Sequence, residues 1–288
     1  MTYNEFRTEA QRRLRDCTDV ENPDFEISTI ICHICGIGKA RLLAIRGEEI
    51  PEKFVSPMLE ALERRVQHEP LQYIIGEWEF FGLRMFCGQG CLIPRPETEL
   101  LVEKAIELIP KGGHFVDLCT GSGCISVAIL NNRKDVTGTA VDISANALEY
   151  ARKNAQYHKV EKRLEIVNMP LEEYLPITVP DCIISNPPYV KTEDVDAFPP
   201  VMKFEPRIAF DGGHDGLEFY KTIAKRYSSR FLKEGGFLLL EAGYDTVREV
   251  EAILKYRKMQ TEVLEDMFGV ERVCIGKKCG DAPAGGLA

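Results

Sequence analysis

The sequence has no long hydrophobic run, no excess of positive charge and no cysteine pattern typical of secreted chains. No apolar stretch approaches the roughly 20 residues that cross a bilayer, and the polar start MTYNEFRTEAQRRLRD lacks the apolar core of a signal peptide. The net charge of −9 disfavours binding along a phosphate backbone, because like charges repel. We therefore expect a soluble cytoplasmic protein with no direct nucleic-acid partner and no membrane partner.

The ten cysteines are scattered, and several lie inside apolar runs, which is typical of buried thiols. Disulfide frameworks are more typical of small secreted chains. Cys32 and Cys35 form a C-x-x-C in the helix-like segment IICHICGIGKARLLA, but no second pair follows at zinc spacing. We expect structural thiols there and no metal site, with metal or redox chemistry at this pair as the alternative.

Regions of different sequence pattern follow one another along the chain. Residues 1–70 predict a small α-helical domain, with helices at 3–16, 24–36, 38–45 and 55–68. Residues 71–93 switch to aromatic and β-branched residues broken by glycines, which predicts a β-hairpin linker. Residues 94–279 predict the main domain, and the tail at 280–288 is expected to be disordered.

Strand and helix patterns alternate from residue 94 onwards. Strands are expected at 114–118, 137–142, 163–167, 181–185, 236–241 and 271–276. Helices are expected at 97–109, 123–131, 144–157, 216–230 and 245–258. Such alternation predicts an α/β domain with a mainly parallel sheet that helices cover on both faces.

A glycine loop follows the first predicted strand of this domain, in V-D-L-C-T-G-S-G-C. Without Cβ atoms, Gly121 and Gly123 let the backbone turn sharply and let a ligand approach closely. The loop alone is a weak signal, because Ser126 stands where G-x-G-x-x-G has its third glycine. A plain tight turn between strand and helix is the alternative.

Asp142 ends the second predicted strand, 19 positions after Gly123. A carboxylate at that place can accept hydrogen bonds from both ribose hydroxyls of a nucleotide, whereas a helix N-cap is the alternative. The loop and the acid together indicate an adenosine-containing ligand. They leave NAD and S-adenosylmethionine both open.

The tetrapeptide N-P-P-Y at 186–189 ends the fourth predicted strand. Proline cannot donate to a sheet ladder, and a residue before proline is pushed to extended angles. Asn186 and Pro187 should therefore lie just past the strand, where open α/β sheets bind ligands. The Asn186 amide oxygen and a diproline carbonyl then form two acceptors that suit a planar NH₂, and Tyr189 offers a ring for stacking. A rigid turn with a capping asparagine is the alternative.

Further stretches of the chain carry a family resemblance. They are LIPRPETE at 92–99, VDLCTGSGCI at 116–125, FEPRIAFDGG at 204–213, DGLEFY at 215–220, GGFLLLE at 235–241 and FGVERV at 268–273. N-P-P-Y resembles the signature of S-adenosylmethionine-dependent amino methyltransferases that modify planar nitrogens. The ordered set, preceded by a helical domain, closely resembles the peptide chain release factor glutamine methyltransferase family over roughly residues 25–278.

The resemblance implies a Rossmann-like methyltransferase with a mainly parallel seven-stranded sheet, and S-adenosyl-L-methionine as its cofactor. The protein substrates would be class I peptide chain release factors, docked by the domain at 1–70 and methylated on the glutamine side-chain amide of a Gly-Gly-Gln motif. The enzyme would act as a monomer.

The resemblance also assigns roles to residues of this sequence. The cofactor-binding residues would be Cys119, Thr120, Gly121, Ser122, Gly123, Asp142, Leu171 and Asn186. Asn186, Pro187 and Tyr189 would be catalytic, and Pro188 would join them in holding the glutamine.

The sequence departs from the family pattern at two positions. Cys119 stands where glycine is usual, so its side chain would crowd the methionine part of the cofactor. Pro170, in V-N-M-P-L, stands where an acid is usual near the adenine, and it cannot accept a hydrogen bond from the adenine amino group. Leu171 is then expected as the apolar neighbour of the adenine.

A DNA or RNA adenine amino methyltransferase is the main alternative, because the adenine amino group also presents two hydrogens. The net charge of −9 and the lack of a basic target-recognition region argue against it. An inactive adaptor is opposed by the intact N-P-P-Y, and an NAD oxidoreductase by the absence of residues for hydride chemistry. Arg95, Glu205 and Arg207 are weaker candidates for the wall of a substrate channel, with ion pairing as the alternative.

Overall fold

The computed structural model describes residues 1–279, and the predicted disordered tail at 280–288 lies outside the described residues. The chain divides into two compact units. The first comprises Met1–Glu77 and Phe198–Glu205. The second comprises Trp78–Ala197 and the chain from Pro206. The short segment 198–205 therefore belongs to the helical unit, although its sequence lies inside the predicted main domain.

Five α-helices form within residues 1–77. They are α1 (Tyr3–Leu14), α2 (Pro23–Cys35), α3 (Lys39–Ala44), α4 (Glu52–Val66) and α5 (Leu71–Ile75). Thr2 and Glu5 form a capping box at the start of α1, and Gly36 ends α2 in the left-handed conformation. Apolar side chains from these helices enclose a core that includes Phe6, Leu14, Ile27, Ile31, Met58 and Leu62.

A buried ion cluster lies among these helices. Arg65 is only 2% exposed. Its guanidinium donates to Glu26 at 2.5 Å and to Asp19 at 2.6 Å, and the Nδ1 atom of His68 lies 2.5 Å from the other carboxylate oxygen of Asp19. Because its charge is removed from water, Arg65 depends on these carboxylates for compensation.

The hairpin is shorter than the predicted linker. Residues 71–75, predicted as its beginning, form α5 instead, because the fixed backbone of Pro70 starts a helical turn and Gly76 ends it in the left-handed conformation. Strands β1 (Glu77–Phe80) and β2 (Leu83–Phe86) then pair as a two-stranded sheet. Phe81 and Gly82 between them both have positive φ angles, 53° and 67°, as a two-residue hairpin turn of this kind requires.

The second unit contains a seven-stranded sheet, which confirms the predicted fold class. Its strands are β3 (His114–Leu118), β4 (Thr137–Asp142), β5 (Leu164–Asn168), β6 (Cys182–Ser185), β7 (Phe237–Glu241), β8 (Met259–Glu265) and β9 (Glu271–Lys278). Their order in the sheet is β5-β4-β3-β6-β7-β9-β8. Strands β3 to β7 are parallel, and β9 runs antiparallel to both β7 and β8.

Strand β8 was not predicted. It is an edge strand that pairs with β9 alone, and its sequence MQTEVLE places exposed Gln260, Glu262 and Glu265 on it. Polar and acidic residues weaken a strand signal in the sequence, but charged side chains are typical of sheet edges, where they oppose unwanted pairing. The predicted helix at 245–258 ends at Tyr256, shortly before β8 begins.

Helices cover both faces of the sheet, as predicted. They are α6 (Glu99–Leu108), α7 (Cys124–Asn132), α8 (Ala145–Tyr157), α10 (Glu218–Arg230) and α11 (Val247–Tyr256). A 3₁₀ turn at Pro96–Thr98 precedes α6, and the short α9 (Thr192–Asp196) lies in the connection between β6 and α10. Alternate strand residues enter two apolar cores. Ile184 packs in the core beneath α6 and α7, and its neighbour Ile183 packs in the core beneath α10 and α11.

The parallel register brings several polar strand ends to one edge of the sheet. Asp142 is opposite Asn168, and Ser185 is opposite Leu240, so one residue further along lie Asn186 and Glu241. The chain leaves β3 towards β4 on one side and returns to β6 on the other. This reversal of direction beside β3 creates the crevice in which open α/β sheets bind ligands.

Among residues 1–279, no helix combines the length and the apolar character needed to cross a bilayer.

Candidate active site

A cavity of about 230 Å³ opens at the carboxyl edge of the sheet. Its walls come from the ends of four parallel strands and from the segment before α6. Among the residues that line it are Arg95, Thr98, Cys119, Thr120, Gly121, Ser122, Asp142, Met169, Pro170, Leu171, Glu172, Asn186 and Pro188. The cavity thus brings together most of the predicted site residues. Gly123, Pro187 and Tyr189 are not among the lining residues.

The loop between β3 and α7 alternates left-handed residues. Cys119, Gly121 and Gly123 have φ angles of 58°, 57° and 74°. A Cβ atom on Gly121 would meet nothing within 4 Å, so open space lies above its backbone. A Cβ atom on Gly123 would lie 3.0 Å from that of Ala151 in α8. Gly121 therefore leaves room at the cavity, whereas Gly123 allows α7 and α8 to approach each other closely.

Cys119 occupies a backbone conformation that a side chain rarely adopts. Its φ of 58° costs a non-glycine residue roughly 1–2 kcal/mol. The residue lines the cavity, and its side chain packs against the core beneath α10 and α11. Burial raises the pKa of its thiol well above 9, and the nearby carboxylate of Asp142 adds to the rise. The thiol therefore stays protonated at neutral pH and is a poor nucleophile there.

Asp117 holds the loop from beneath. This residue of β3 is fully buried, and its Oδ2 atom accepts hydrogen bonds from the hydroxyls of Thr120 at 2.6 Å and Ser126 at 2.7 Å. Burial raises its pKa to about 6, although both hydrogen bonds oppose the rise. Ser126, which replaces the third glycine of the motif, thus anchors α7 to the strand. The sequence signal for this role was an acid inside the apolar run F-V-D-L.

Asp142 ties the glycine loop to the second strand. Its Oδ2 atom accepts from the backbone N–H of Gly121 at 2.8 Å, and its Oδ1 atom accepts from that of Ser144 at 2.8 Å. Burial raises the pKa of this carboxyl, and these backbone hydrogen bonds oppose the rise. The N-cap of α8 is Ser144, whose side chain accepts from the N–H of Ala147. Helix α8 thus has its own N-cap and does not require Asp142 as a cap. Each carboxylate oxygen of Asp142 keeps a lone pair for a ligand.

The end of β5 supplies an apolar wall and one acid. Leu171 is 5% exposed, and its carbonyl accepts a hydrogen bond from the Tyr227 hydroxyl at 2.5 Å, which fixes the backbone beside the cavity. Pro170 lines the cavity as well. Glu172, two residues later, is an exposed lining residue that the sequence analysis missed. An acid therefore does lie on this side of the cavity, displaced from the usual position.

Some residues of the tetrapeptide after β6 line the cavity, and others pack in the interior of the domain. Asn186 and Pro188 line the cavity, and Pro187 is buried. The ring of Tyr189 packs against the core beneath α10 and α11, and burial raises the pKa of its hydroxyl to about 12. The Nδ2 atom of Asn186 donates to the Thr98 hydroxyl at 3.1 Å, which fixes the plane of the amide.

The segment F-D-G-G and the following D-G-L brace this tetrapeptide. The N–H of Val190 donates to the carbonyl of Phe210, and that of Gly212 donates to the carbonyl of Val190, both at 2.8 Å. A Cβ atom on Gly212 would lie 2.7 Å from the Cα atom of Tyr189, and one on Gly216 would lie 2.5 Å from the Tyr189 carbonyl oxygen. Both glycines are therefore required where two backbones touch.

Arg95, Arg207 and Glu205, the weaker candidates for the channel wall, lie in three different environments. Arg95 lines the cavity. Arg207 is exposed and pairs with Asp196 and Asp211, which is the ion-pairing alternative. Glu205 is buried and belongs to the first compact unit.

The cavity fits an adenosine cofactor that carries a methionine chain. Asp142 presents carboxylate lone pairs suited to ribose hydroxyls. The space above Gly121 is open, as close approach of a ligand to the backbone requires. Met169 and Leu171 offer apolar contact for a flat base. These features suit S-adenosyl-L-methionine, and Cys119 is one of the loop residues that line the cavity.

Comparison with known proteins agrees with this site. Residues 5–76 match the family described as PrmC N-terminal domain, and residues 96–199 match the methyltransferase small domain. The release factor glutamine methyltransferase of Thermodesulfovibrio yellowstonii is 37% identical over 262 residues, covering 88% of this chain and 92% of that protein. The corresponding protein of Aquifex aeolicus is 34% identical, covering 86% and 89%.

The fold also has a counterpart among solved structures. The catalytic domain of hMettl16, solved in complex with the MAT2A 3′UTR hairpin 6, superposes with a TM-score of 0.57. It is 15% identical, and the match covers 80% of this chain and 84% of that one. At this identity the likeness concerns the fold alone.

Proposed function

This chain belongs to the release factor glutamine methyltransferase family, and we propose that its methyl acceptor is the glutamine of the Gly-Gly-Gln motif in class I peptide chain release factors. Membership makes it an S-adenosyl-L-methionine-dependent protein-glutamine N-methyltransferase. The observation that carries the proposal is the Asn186 amide, held by Thr98 at the wall of a cavity that fits the cofactor.

The cofactor-binding residues are proposed as follows. The carboxylate of Asp142 holds the ribose hydroxyls, and the loop from Cys119 to Gly123 passes beside the methionine part. Leu171 contacts the adenine, and the displaced acid Glu172 accepts from its amino group. When bound, S-adenosyl-L-methionine supplies an electrophilic methyl group on its sulfonium.

The acceptor nitrogen is a poor nucleophile, because its lone pair is delocalised into the amide carbonyl. In our proposal the Oδ1 atom of Asn186 and the backbone carbonyl of Pro187 accept its two N–H bonds. The two acceptors aim the nitrogen and stabilise the positive charge that develops on it. The nitrogen then loses one proton to solvent.

The two other members of the tetrapeptide support this arrangement. Pro188 forms the wall beside the glutamine. Because the ring of Tyr189 packs in the core, we assign it to holding the tetrapeptide in place, in addition to any contact with the substrate.

The remaining proposals concern the partner. The helical domain at 1–70, connected by the linker at 71–93 to the methyltransferase domain at 94–279, docks the release factor. The match of residues 5–76 to the PrmC N-terminal domain supports a dedicated role for this part of the chain. We propose that the enzyme acts in the cytoplasm as a monomer, and light scattering during gel filtration tests the oligomeric state.

The test of the proposed function is mass spectrometry of a release factor incubated with enzyme and cofactor. One methyl on the glutamine of the Gly-Gly-Gln peptide is expected, and none when that glutamine is replaced by alanine. Duplex DNA and RNA serve as parallel substrates. Methyl transfer to adenine, with the release factor left unmodified, would replace this proposal by the adenine alternative.

A further inference from the structure

Glu241 is a buried acid beside the tetrapeptide that the proposed reaction does not use. It ends β7, next to β6, and is 2% exposed. Its backbone carbonyl accepts a hydrogen bond from the Tyr220 hydroxyl at 2.7 Å, which fixes the end of the strand. The Oε2 atom of its carboxyl is buried without a hydrogen-bond partner in the described part of the chain. Burying a polar atom without a hydrogen-bond partner destabilises the folded state, so this carboxyl calls for a functional explanation.

The register of β6 and β7 places Glu241 beside Asn186, and the side chains of Thr98 and Asn186 both act to lower the pKa of its carboxyl. The Nδ2 atom of Asn186 donates to the Thr98 hydroxyl oxygen. The amide nitrogen is therefore directed towards protein, and the Oδ1 atom lies on the opposite side of the planar group.

An asparagine amide has two orientations, which differ by exchange of its oxygen and nitrogen. An ionised carboxylate can only accept hydrogen bonds, so it favours the orientation in which the amide nitrogen faces it. A protonated carboxyl can donate, and it permits the reversed orientation. In the reversed orientation Asn186 presents NH₂ to a substrate that also presents NH₂, and no hydrogen bond forms.

We infer that Glu241 is a positioning residue, whose ionised carboxylate locks the Asn186 amide so that its oxygen faces the substrate nitrogen. This inference rests on the proposed function, because it requires Asn186 to accept from the substrate amide. Glu241 does not line the cavity itself and acts through its neighbour. The protonation of one buried acid thereby decides whether the site is competent.

The charge state of Glu241 changes within the physiological range. Burial raises its pKa to about 7. The side chains of Thr98 and Asn186 oppose this rise. The other titratable or charged groups that act on it are Glu97 before α6, Arg272 on β9, Tyr189 after β6, Tyr220 on α10 and Cys124 on α7. Glu97 raises the pKa and Arg272 lowers it. Because the ionised form is the competent one, activity should rise with pH through about 7.

The experiment compares methyl transfer by the wild-type enzyme and Glu241→Gln from pH 5.5 to 9, with the release factor as substrate. For the wild type, kcat at pH 6 should be about tenfold below its value at pH 8. Glutamine can donate or accept and no longer fixes the amide, so kcat of the variant should be about tenfold lower at pH 8 and flat with pH. The matched control is Glu265→Gln, an exposed strand-end glutamate of β8.

Two readouts separate positioning from a structural role. Calorimetry should give the same cofactor affinity for wild type and Glu241→Gln, because Asp142 and the glycine loop are unchanged. Infrared difference spectra should show a protonated carboxyl that titrates near pH 7 in the wild type and is missing in Glu241→Gln. Asp117, whose pKa burial raises to about 6, is present in both proteins, so its infrared signal cancels when the two difference spectra are subtracted.

A second variant keeps the inference testable if Glu241→Gln fails to fold. Thr98→Val removes a hydroxyl that lowers the pKa of Glu241, so the midpoint of the wild-type pH profile should move to higher pH. An unmoved midpoint, or a Glu241→Gln enzyme with the rate and pH profile of wild type, would overturn the inference alone. A wild-type enzyme that methylates no Gly-Gly-Gln protein at any pH would overturn the proposed function and this inference with it.

Discussion

The Nδ2 atom of Asn186 lies 3.1 Å from the hydroxyl oxygen of Thr98, a residue 88 positions earlier in the chain. The bond joins the strand end that carries N-P-P-Y to the turn before α6, in the stretch L-I-P-R-P-E-T-E. Two motifs that are far apart in the sequence therefore act together to fix the plane of the Asn186 side-chain amide. The predictions below test this arrangement and the elements that support it.

Replacing Asn186 by alanine should lower turnover by at least about 10²-fold, as loss of a comparable polar stabiliser does. Cofactor affinity should be largely retained, because Asp142 and the loop are unaffected. Steady-state kinetics with a release factor and calorimetry with S-adenosyl-L-methionine measure the two effects. Asn132→Ala is the control, since the Asn132 side chain bonds only within α7 in the described structure. Turnover near the wild-type value would exclude the proposed role of Asn186.

Replacing Asp142 by alanine should weaken cofactor binding about 10- to 100-fold, which corresponds to loss of hydrogen bonds to a charged group worth about 1.5–3 kcal/mol. The variant also loses the contact to the Gly121 N–H, so part of the effect comes from the loop. Calorimetry measures the affinity directly, with the exposed Asp16→Ala as control. Unchanged affinity would place the ribose elsewhere.

Replacing Gly216 by alanine should lower methyl transfer by displacing the backbone of Tyr189. Gly112 provides a matched control, because its φ is also 71° but a Cβ atom there would meet nothing within 4 Å. Both alanine variants should lose roughly 1–2 kcal/mol of stability from backbone strain. Only Gly216→Ala should also lose turnover, and equal activity of the two variants would show that the contact with Tyr189 is unimportant for the site.

Replacing Cys119 by glycine should change the free energy of unfolding by less than about 1 kcal/mol, because relief of a left-handed φ of 58° is offset by the backbone entropy of glycine and by loss of a side chain that packs against the core. The change also removes the Cβ and Sγ atoms from a residue that lines the cavity, so cofactor affinity should rise or stay the same. Thermal unfolding without ligand and calorimetry with ligand separate the two effects. A loss of affinity would mean that the thiol contributes a favourable contact to the cofactor.

Replacing Arg65 by methionine should destabilise the helical unit by about 3–5 kcal/mol, since it leaves the carboxylates of Asp19 and Glu26 without their buried counter-charge. Urea unfolding followed by circular dichroism gives the change in the free energy of unfolding. Arg12→Met is the control, because Arg12 forms an exposed pair with Glu9 that should contribute below about 1 kcal/mol. If both variants lowered the free energy of unfolding equally, burial of the Arg65 ion cluster would not be the cause of the destabilisation.

The sequence was sufficient for most of the sheet, because each buried parallel strand is an apolar run followed by a loop or a helix signal. The predicted bounds of β3 and β4 are those of the structure, 114–118 and 137–142. The polar edge strand β8 was missed because alternating glutamate and glutamine side chains do not resemble a buried strand.

The candidate site was predicted in part, since a motif names residues but not the directions of their side chains. The placement of Gly123 against Ala151, and of the Tyr189 ring in the core, depends on packing between distant segments. Glu241 ended a quoted motif, yet its position beside Asn186 follows only from the register of β6 and β7. An acid that closes an apolar strand was the signal available for it.

The gathering of strand ends at one edge has a consequence for how ligand and fold are coupled. Thr98, Asp142 and Asn186 belong to segments that are far apart in the sequence and meet only when β4, β3 and β6 have paired. The residues proposed to hold the cofactor follow β3, β4 and β5, whereas Asn186 follows β6 on the other side of β3, so the complete site requires both halves of the sheet. Cofactor at 100 times its dissociation constant should accordingly raise the free energy of unfolding of the second unit by about 2.7 kcal/mol, and its melting temperature should rise with it.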